Sequence, residues 1–211
     1  MSDQKFTILR DGPIARLCLT NPDRHNAFDD DLILGLTEAF TALGIEPDIR
    51  AVVLEAQGKS FSAGADLNWM QRVAGYSFDQ NLADAGALAE MLRVINFLPK
   101  PVIARVQGAA FGGGVGLVAC CDIAIGSPRA SFCLSEVKLG IIPSAISPYV
   151  VDAIGARAAR RYFQTAERFD AAKALELGLL HDVVEEDALD GAIDGVIQSI
   201  LSVGPIAARE A

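Results

Sequence analysis

One repeated order of patterns constrains this chain more than any other feature: a short apolar run, then small residues and glycine, then a helical run. Arg50–Ala56 leads through Gly58–Leu67 into helical spacing over Asp66–Ala74, and Pro101–Val106 leads through Gly108–Gly116 into Gly113–Ala119. A third apolar run, Asp122–Ile125, leads toward Ser131–Gly140. Helical spacing also marks Asp30–Gly44, through Leu32, Leu36, Ala39, Phe40 and Leu43, and Leu82–Leu98. Strands that alternate with helices return through right-handed crossovers, so the chain predicts an α/β fold with a mostly parallel sheet. Lys5–Arg10 and Ile14–Thr20, around Asp11-Gly12-Pro13, predict an opening hairpin. Beyond Pro148 the pattern is helical over Ala153–Thr165, Ala171–Gly178 and Ala188–Val203, broken by a short apolar piece at Asp182–Glu185. The chain therefore divides into a core over 1–150 and a helical region over 151–211.

At 211 residues, 51% of them hydrophobic, the chain can bury a single core. Aromatics supply only 7%, so Ala, Val, Leu and Ile must fill that core, with Phe as the main large side chain. The net charge of −9 opposes nucleic acid and anionic membrane surfaces as partners, because binding to polyanions needs clustered Lys and Arg. Cys18, Cys120, Cys121 and Cys133 lack CxxC spacing, which predicts reduced buried thiols. The first residues have no apolar signal region, and Val106–Cys121 is too short and too rich in glycine to span a bilayer. The expected location is the cytoplasm.

Chemistry is expected where backbone amides are exposed between strand and helix. Gly58–Leu67 is one such junction, with Asp66 as the helix N-cap, and Gly108–Gly116 is another. Each could supply one N–H to the same carbonyl oxygen, which is the design of an oxyanion hole. The alternative for each is a packing turn. In Ser131–Gly140, an extended backbone would put Phe132, Leu134 and Glu136 on one face, where desolvation would raise the carboxyl pKa toward neutrality. The competing reading is a solvated Glu136 paired with Lys138. His25 and His181 have no metal-ligand spacing, and the serines lack a G-x-S-x-G elbow. Gly114-Val-Gly116-Leu-Val-Ala119 satisfies G-x-G-x-x-A, but it begins too far beyond Val106 for a dinucleotide-binding turn.

Five strings in order resemble the successive motifs of the crotonase (enoyl-CoA hydratase/isomerase) superfamily. They are Asn21-Pro-Asp-Arg-His-Asn-Ala27, Phe61-Ser-Ala-Gly-Ala-Asp-Leu67, Val106-Gln-Gly-Ala-Ala-Phe-Gly-Gly-Gly114, Cys121-Asp-Ile-Ala124 and Glu136-Val-Lys-Leu-Gly-Ile-Ile-Pro143. The resemblance implies stacked ββα turns forming a superhelix with two sheets, a C-terminal helical region, and homotrimers or dimers of trimers. It implies acyl-CoA thioester substrates and no separate cofactor, coenzyme A entering as part of the substrate. By position, Ala65 and Gly113 match the oxyanion-hole N–H groups and Glu136 the second catalytic glutamate. Arg24, Ala27, Ala63, Asp66, Leu67 and Gly112 fall where the family binds substrate, mostly through backbone.

The family's first catalytic glutamate is replaced by Gly116. That leaves three activities open on the same resemblance: hydration, Δ3,Δ2-enoyl-CoA isomerisation, and acyl-CoA binding or assembly without catalysis. Gly113–Gly126, Phe132–Glu136 and Ile146–Tyr149 are most similar to a bacterial branch of 3-methylglutaconyl-CoA and isohexenylglutaconyl-CoA hydratases, which places hydration of a branched, carboxylated 2-enoyl-CoA first. Superfamily members continue for several tens of residues past the region matching Gly204–Arg209, with helices over the acyl pocket. If that cover is reduced, Val150, Ile154, Tyr162, Phe163, Leu175 and Leu179 are expected to be partly exposed and to form an oligomer interface.

Overall fold

The computed structural model describes residues 5–210. Six strands form the larger sheet in the order β1 (Phe6–Asp11), β2 (Ile14–Leu19), β3 (Ala51–Ala56), β5 (Val102–Val106), β7 (Ile123–Gly126) and β10 (Asp182–Val183). Only the opening hairpin, closed at Asp11↔Ile14, is antiparallel; every later pair is parallel. The smaller sheet lines up β4 (Ser60–Ser62), β6 (Ala109–Phe111), β8 (Ser131–Cys133) and β9 (Phe169–Asp170). Here β4, β6 and β8 run parallel and β9 closes the edge antiparallel.

The central strands β3, β5 and β7 of the larger sheet are buried on both faces, which is why they read as nearly continuous apolar runs. Along β3, Val52 and Leu54 face one cluster while Ala51 and Val53 face the other, following the two-residue alternation of a strand. The first cluster takes Leu36 and Phe40 from α1 (Asp30–Ile45) and Leu92 and Ile95 from α3 (Phe78–Asn96). The second is covered by Leu189, Ile193 and Ile197 of α7 (Leu189–Leu201). The remaining helices are α2 (Leu67–Val73), α4 (Gly113–Ala119), α5 (Ser147–Thr165), α6 (Ala171–Leu177) and α8 (Pro205–Glu210). Residues beyond 150 thus add an edge strand to each sheet as well as helices.

Several boundaries differ from the sequence pattern for local reasons. Helix α3 starts at Phe78, ahead of its apolar stripe, because Ser77 and Gln80 form a reciprocal capping box. Helix α5 starts at Ser147, since Pro148 sits in its first turn where no N–H is needed, and it kinks at Gly155, whose φ is +76°. The apolar residues expected to be bare are mostly covered. Val150, Ile154, Tyr162 and Leu179 are buried in their own chain, Phe163 is half-buried, and only Leu175 is exposed. The large exposed apolar side chains include instead Val137, Leu139, Ile141 and Ile142. Among the described residues no helix is long and apolar enough to cross a membrane.

Candidate active site

The smaller sheet determines where the site lies. Because β4, β6 and β8 are parallel neighbours, the segments that leave their C-terminal ends emerge along one edge. Those segments are Ala63–Leu67, Gly112–Gly114 and Leu134–Glu136, and the C-terminal edge of parallel strands is where α/β sheets present backbone to ligands.

Close backbone contact joins the first two. A Cβ built on Gly64, whose φ is +81°, would stand 2.6 Å from the Phe111 carbonyl oxygen and 3.3 Å from the Gly113 nitrogen. Only glycine allows that approach. Phe28 forms a parallel bridge to Ala65, with the Phe28 N–H donating to the Gly64 carbonyl (2.7 Å) and the Asp66 N–H donating to the Phe28 carbonyl (2.7 Å). The Ala65 N–H lies between these bonded groups and points to the opposite side. Gly113 is the first residue of α4, so its N–H has no intrahelical partner. Neither N–H donates to a protein acceptor among the described residues.

The third segment brings the carboxylate. Gly112, with φ +49°, donates its N–H to the Cys133 carbonyl at 2.8 Å, and a Cβ there would stand 3.1 Å from Glu136 Oε1. Glu136 is therefore beside the residue that precedes the Gly113 donor. Strand β8 ends at Cys133, and Glu136 opens a 3-10 turn over Glu136–Leu139 instead of continuing the strand. The expected alternation with Phe132 and Leu134 thus does not position it; the turn does, closed by Gly140 with φ +73°. Its Oε2 is buried and has no hydrogen-bond partner, and no ion pair to Lys138 forms. Burial raises the carboxyl pKa above its ordinary value, opposed in part by its own backbone N–H.

Asp66 caps α2 as the sequence predicts, accepting from the N–H groups of Asn68 (2.8 Å) and Trp69 (3.1 Å). Arg24 Nη1 stands 3.8 Å from Asp66 Oδ2, and the Arg24 side chain is largely exposed. Ala27 is buried, Ala63 half-buried and Leu67 exposed. These residues share one neighbourhood because the 21–28 segment lies against 62–66: the Ala63 N–H donates to the His25 carbonyl at 2.9 Å.

A family model described as enoyl-CoA hydratase/isomerase matches residues 10–211. The chain belongs to that family. It is 34% identical over 172 residues to a putative enoyl-CoA hydratase of Thermus thermophilus, covering 82% of this chain and 68% of that protein. An enoyl-CoA hydratase of Alternaria alternata is 32% identical over 95% of this chain, which spans 65% of that relative's length. A crystal structure of an enoyl-CoA hydratase from Shewanella pealeana superposes with a TM-score of 0.95 at 49% identity, over 99% of this chain and 78% of that one. Mixed α/β architecture with parallel sheets, expected from the crotonase-like motifs, is what the family's structures share with this chain.

Sequence reasoning missed the polar groups that hold this family's loops in place here. Asn26 is fully buried; its amide donates to the carbonyls of Gln57 and Ser60, both at 2.9 Å, and its oxygen accepts from the Asn21 N–H at 3.0 Å. The Ser62 hydroxyl donates to the Asn26 carbonyl (2.9 Å) and accepts from the Gly64 N–H (3.2 Å), so it fixes the turn leading to Ala65. Gln107 Nε2 donates to the carbonyls of Gly58 (3.1 Å) and Ser60 (3.0 Å). The available signal was a polar residue inside each small-residue motif. Cys18, Cys120, Cys121 and Cys133 are free thiols, and among the described residues no three His, Cys, Asp or Glu side chains group as a metal site requires.

Proposed function

We propose that this site adds water across the 2,3 double bond of a 2-enoyl-CoA thioester. The observation that carries the reading is the convergence of one desolvated carboxyl group, Glu136, with two unengaged N–H groups, Ala65 and Gly113, at one edge of the smaller sheet. The thioester oxygen accepts from both N–H groups. As the water oxygen bonds to C-3, Glu136 takes its proton and the double-bond electrons move to the thioester oxygen as an enolate. The N–H pair stabilises that charge where it develops. The same carboxyl group then returns the proton to C-2, so H and OH are added and Glu136 is restored. Arg24, Ala27, Ala63, Asp66, Leu67 and Gly112 bind the substrate around these groups. The similarity of Gly113–Gly126, Phe132–Glu136 and Ile146–Tyr149 to the glutaconyl-CoA hydratase branch supports a branched, carboxylated acyl group.

Gly116 favours a second reaction on the same groups. A 3-enoyl to 2-enoyl shift needs one base to move a proton between two carbons, and residue 116 provides no second acid. Incubating 2-enoyl and 3-enoyl thioesters in heavy-oxygen water separates the two, because only hydration places solvent oxygen in the product. Glu136→Gln is expected to lower hydration by about 10²–10⁴-fold while coenzyme A esters still bind; near-wild-type turnover would refute the assignment. The proposal includes a homotrimer or a dimer of trimers, supported by the exposed Val137, Leu139, Ile141 and Ile142 beside the site. Light scattering of the active protein checks it, against a subunit mass of 22.3 kDa.

A further inference from the structure

Residue 116 lacks an acid, and the side chains nearest to it are apolar. A Cβ at Gly116 would stand 2.4 Å from Ile146 Cγ2, 2.9 Å from Ile146 Cβ and 3.7 Å from Leu92 Cδ2. Ile146 and Leu92 are themselves buried in the core, so the wall is apolar and closed. Residue 116 thus supplies no hydrogen bond to a water molecule, yet attack on C-3 requires the water's lone pair to be aimed.

The space beside Gly112 offers such a bond. The point where a Cβ would stand on Gly112 is 3.1 Å from Glu136 Oε1 and 3.5 Å from Ser135 Oγ, so both oxygens face one small volume. Gly112 keeps that volume open because it has no side chain. Ser135 opens the 3-10 turn at φ −88° and ψ −4°, but its hydroxyl does not cap it. Among the described residues that hydroxyl makes no hydrogen bond, and Glu136 Oε2 is also without a partner. Ser135 is half-buried, which shields the volume without closing it.

We propose that the Ser135 hydroxyl is the second water-binding group of this site, holding the water that Glu136 deprotonates. The inference rests on the hydration reading above. One water hydrogen goes to the Glu136 carboxylate and is the proton transferred. The other is accepted by Ser135 Oγ, which leaves an oxygen lone pair directed at C-3. A hydroxyl suits this task because it accepts and donates by rotation. Ser135 neither gains nor loses a proton in the cycle, so Glu136 remains the only acid–base group.

The test compares Ser135→Ala and Ser135→Thr with the wild-type protein, using a 2-enoyl-CoA thioester in heavy-oxygen water. Ser135→Ala is expected to lower kcat for oxygen incorporation about tenfold while KM stays within about twofold, as loss of one hydrogen bond made to the attacking water requires. Ser135→Thr, which keeps the hydroxyl, is expected to recover kcat to within about threefold of wild type. A kcat loss below threefold in the alanine variant, a loss expressed in KM alone, or a threonine variant no better than alanine overturns the role of Ser135. Wild-type protein that shifts double bonds without incorporating oxygen overturns the hydration reading itself, and the water-binding role with it. The two failures are thereby distinguished by which protein shows them.

Discussion

The two sheets of this protein are built by different means. In the larger sheet the central strands bury Leu17, Val52, Leu54, Val102 and Ala104 against helices, and hydrophobic burial on both faces holds it. In the smaller sheet the strands are two or three residues long, and they bury Phe61, Phe132 and Phe169, with the Phe132 and Phe169 rings stacked at 5.5 Å. Buried polar groups add a second kind of hold there: Asn26, Ser62 and Gln107 bond to backbone around β4, and the Ser127 hydroxyl donates to the Gln107 carbonyl at 2.9 Å. Hydrogen bonds are directional and dispersion contacts are not. The smaller sheet, whose edge carries the candidate site, adds the directional kind to its buried rings, whereas the central strands of the larger sheet rely on apolar burial.

The contrast is sharpest for Gly64→Ala. The added Cβ would meet the Phe111 carbonyl oxygen at 2.6 Å, with backbone on both sides that cannot yield without moving Ala65 or Gly113. A fall in kcat of roughly 10²–10³-fold is expected, the size of losing one oxyanion donor, and steady-state kinetics on an enoyl-CoA would measure it. Leu54→Ala, in the fully buried centre of β3, should do the reverse. It is expected to cost about 3 kcal/mol in denaturant unfolding and leave kcat nearly unchanged; a large kcat effect would break the division between the sheets. Asn26→Ala strips hydrogen bonds from the carbonyls of Gln57 and Ser60 and from the Asn21 N–H. About 2 kcal/mol of stability should be lost, together with activity, because the same bonds hold the site loops. Stability falling with kcat intact would show that the polar frame does not position the site.

The smallest expected effect concerns pH. Burial raises the Glu136 pKa in the folded protein above its ordinary value of 4.5. The native state then binds that proton more tightly than the unfolded chain, so its contribution to stability is full at low pH and is lost as pH rises through the raised value. Glu136→Gln removes this penalty. Its Tm should slightly exceed that of wild type at neutral pH, and the difference should shrink as pH is lowered through the carboxyl range. Activity should run the other way in wild type, rising with pH as the carboxylate forms.

Legibility in the sequence follows the same division. Strands β2, β3, β5 and β7 and helices α1 and α4 fall where apolar periodicity puts them, because burial on a repeating face leaves a repeating signal. Strands β4, β6 and β9 leave none: a strand of two or three residues cannot display alternation by itself, and β4 and β6 lie inside segments that read as glycine-rich loops. The two junctions and Glu136 are legible as candidates, through glycine between strand and helix and one carboxylate among apolar neighbours, and Ala65 and Gly113 are singled out within those junctions by the family resemblance. Asn26, Ser62 and Gln107 were not, since a polar residue in a short loop looks alike whether it faces water or binds three backbone groups.

The α/β class, the order of the central strands' patterns, the strand-to-helix junctions and the family can all be read from the residues in order. Those properties depend on residues near one another in the chain, or on spacing that repeats along it. The tertiary structure decided that β4, β6 and β8 are parallel neighbours whose ends meet, that Glu136 arrives by a 3-10 turn, and that Ile146 seals Gly116 while Ser135 faces Gly112. Apart from the turn itself, each of these is a distance of a few ångströms between residues well separated in sequence, set by how strands and helices pack, and no local pattern encodes such a distance.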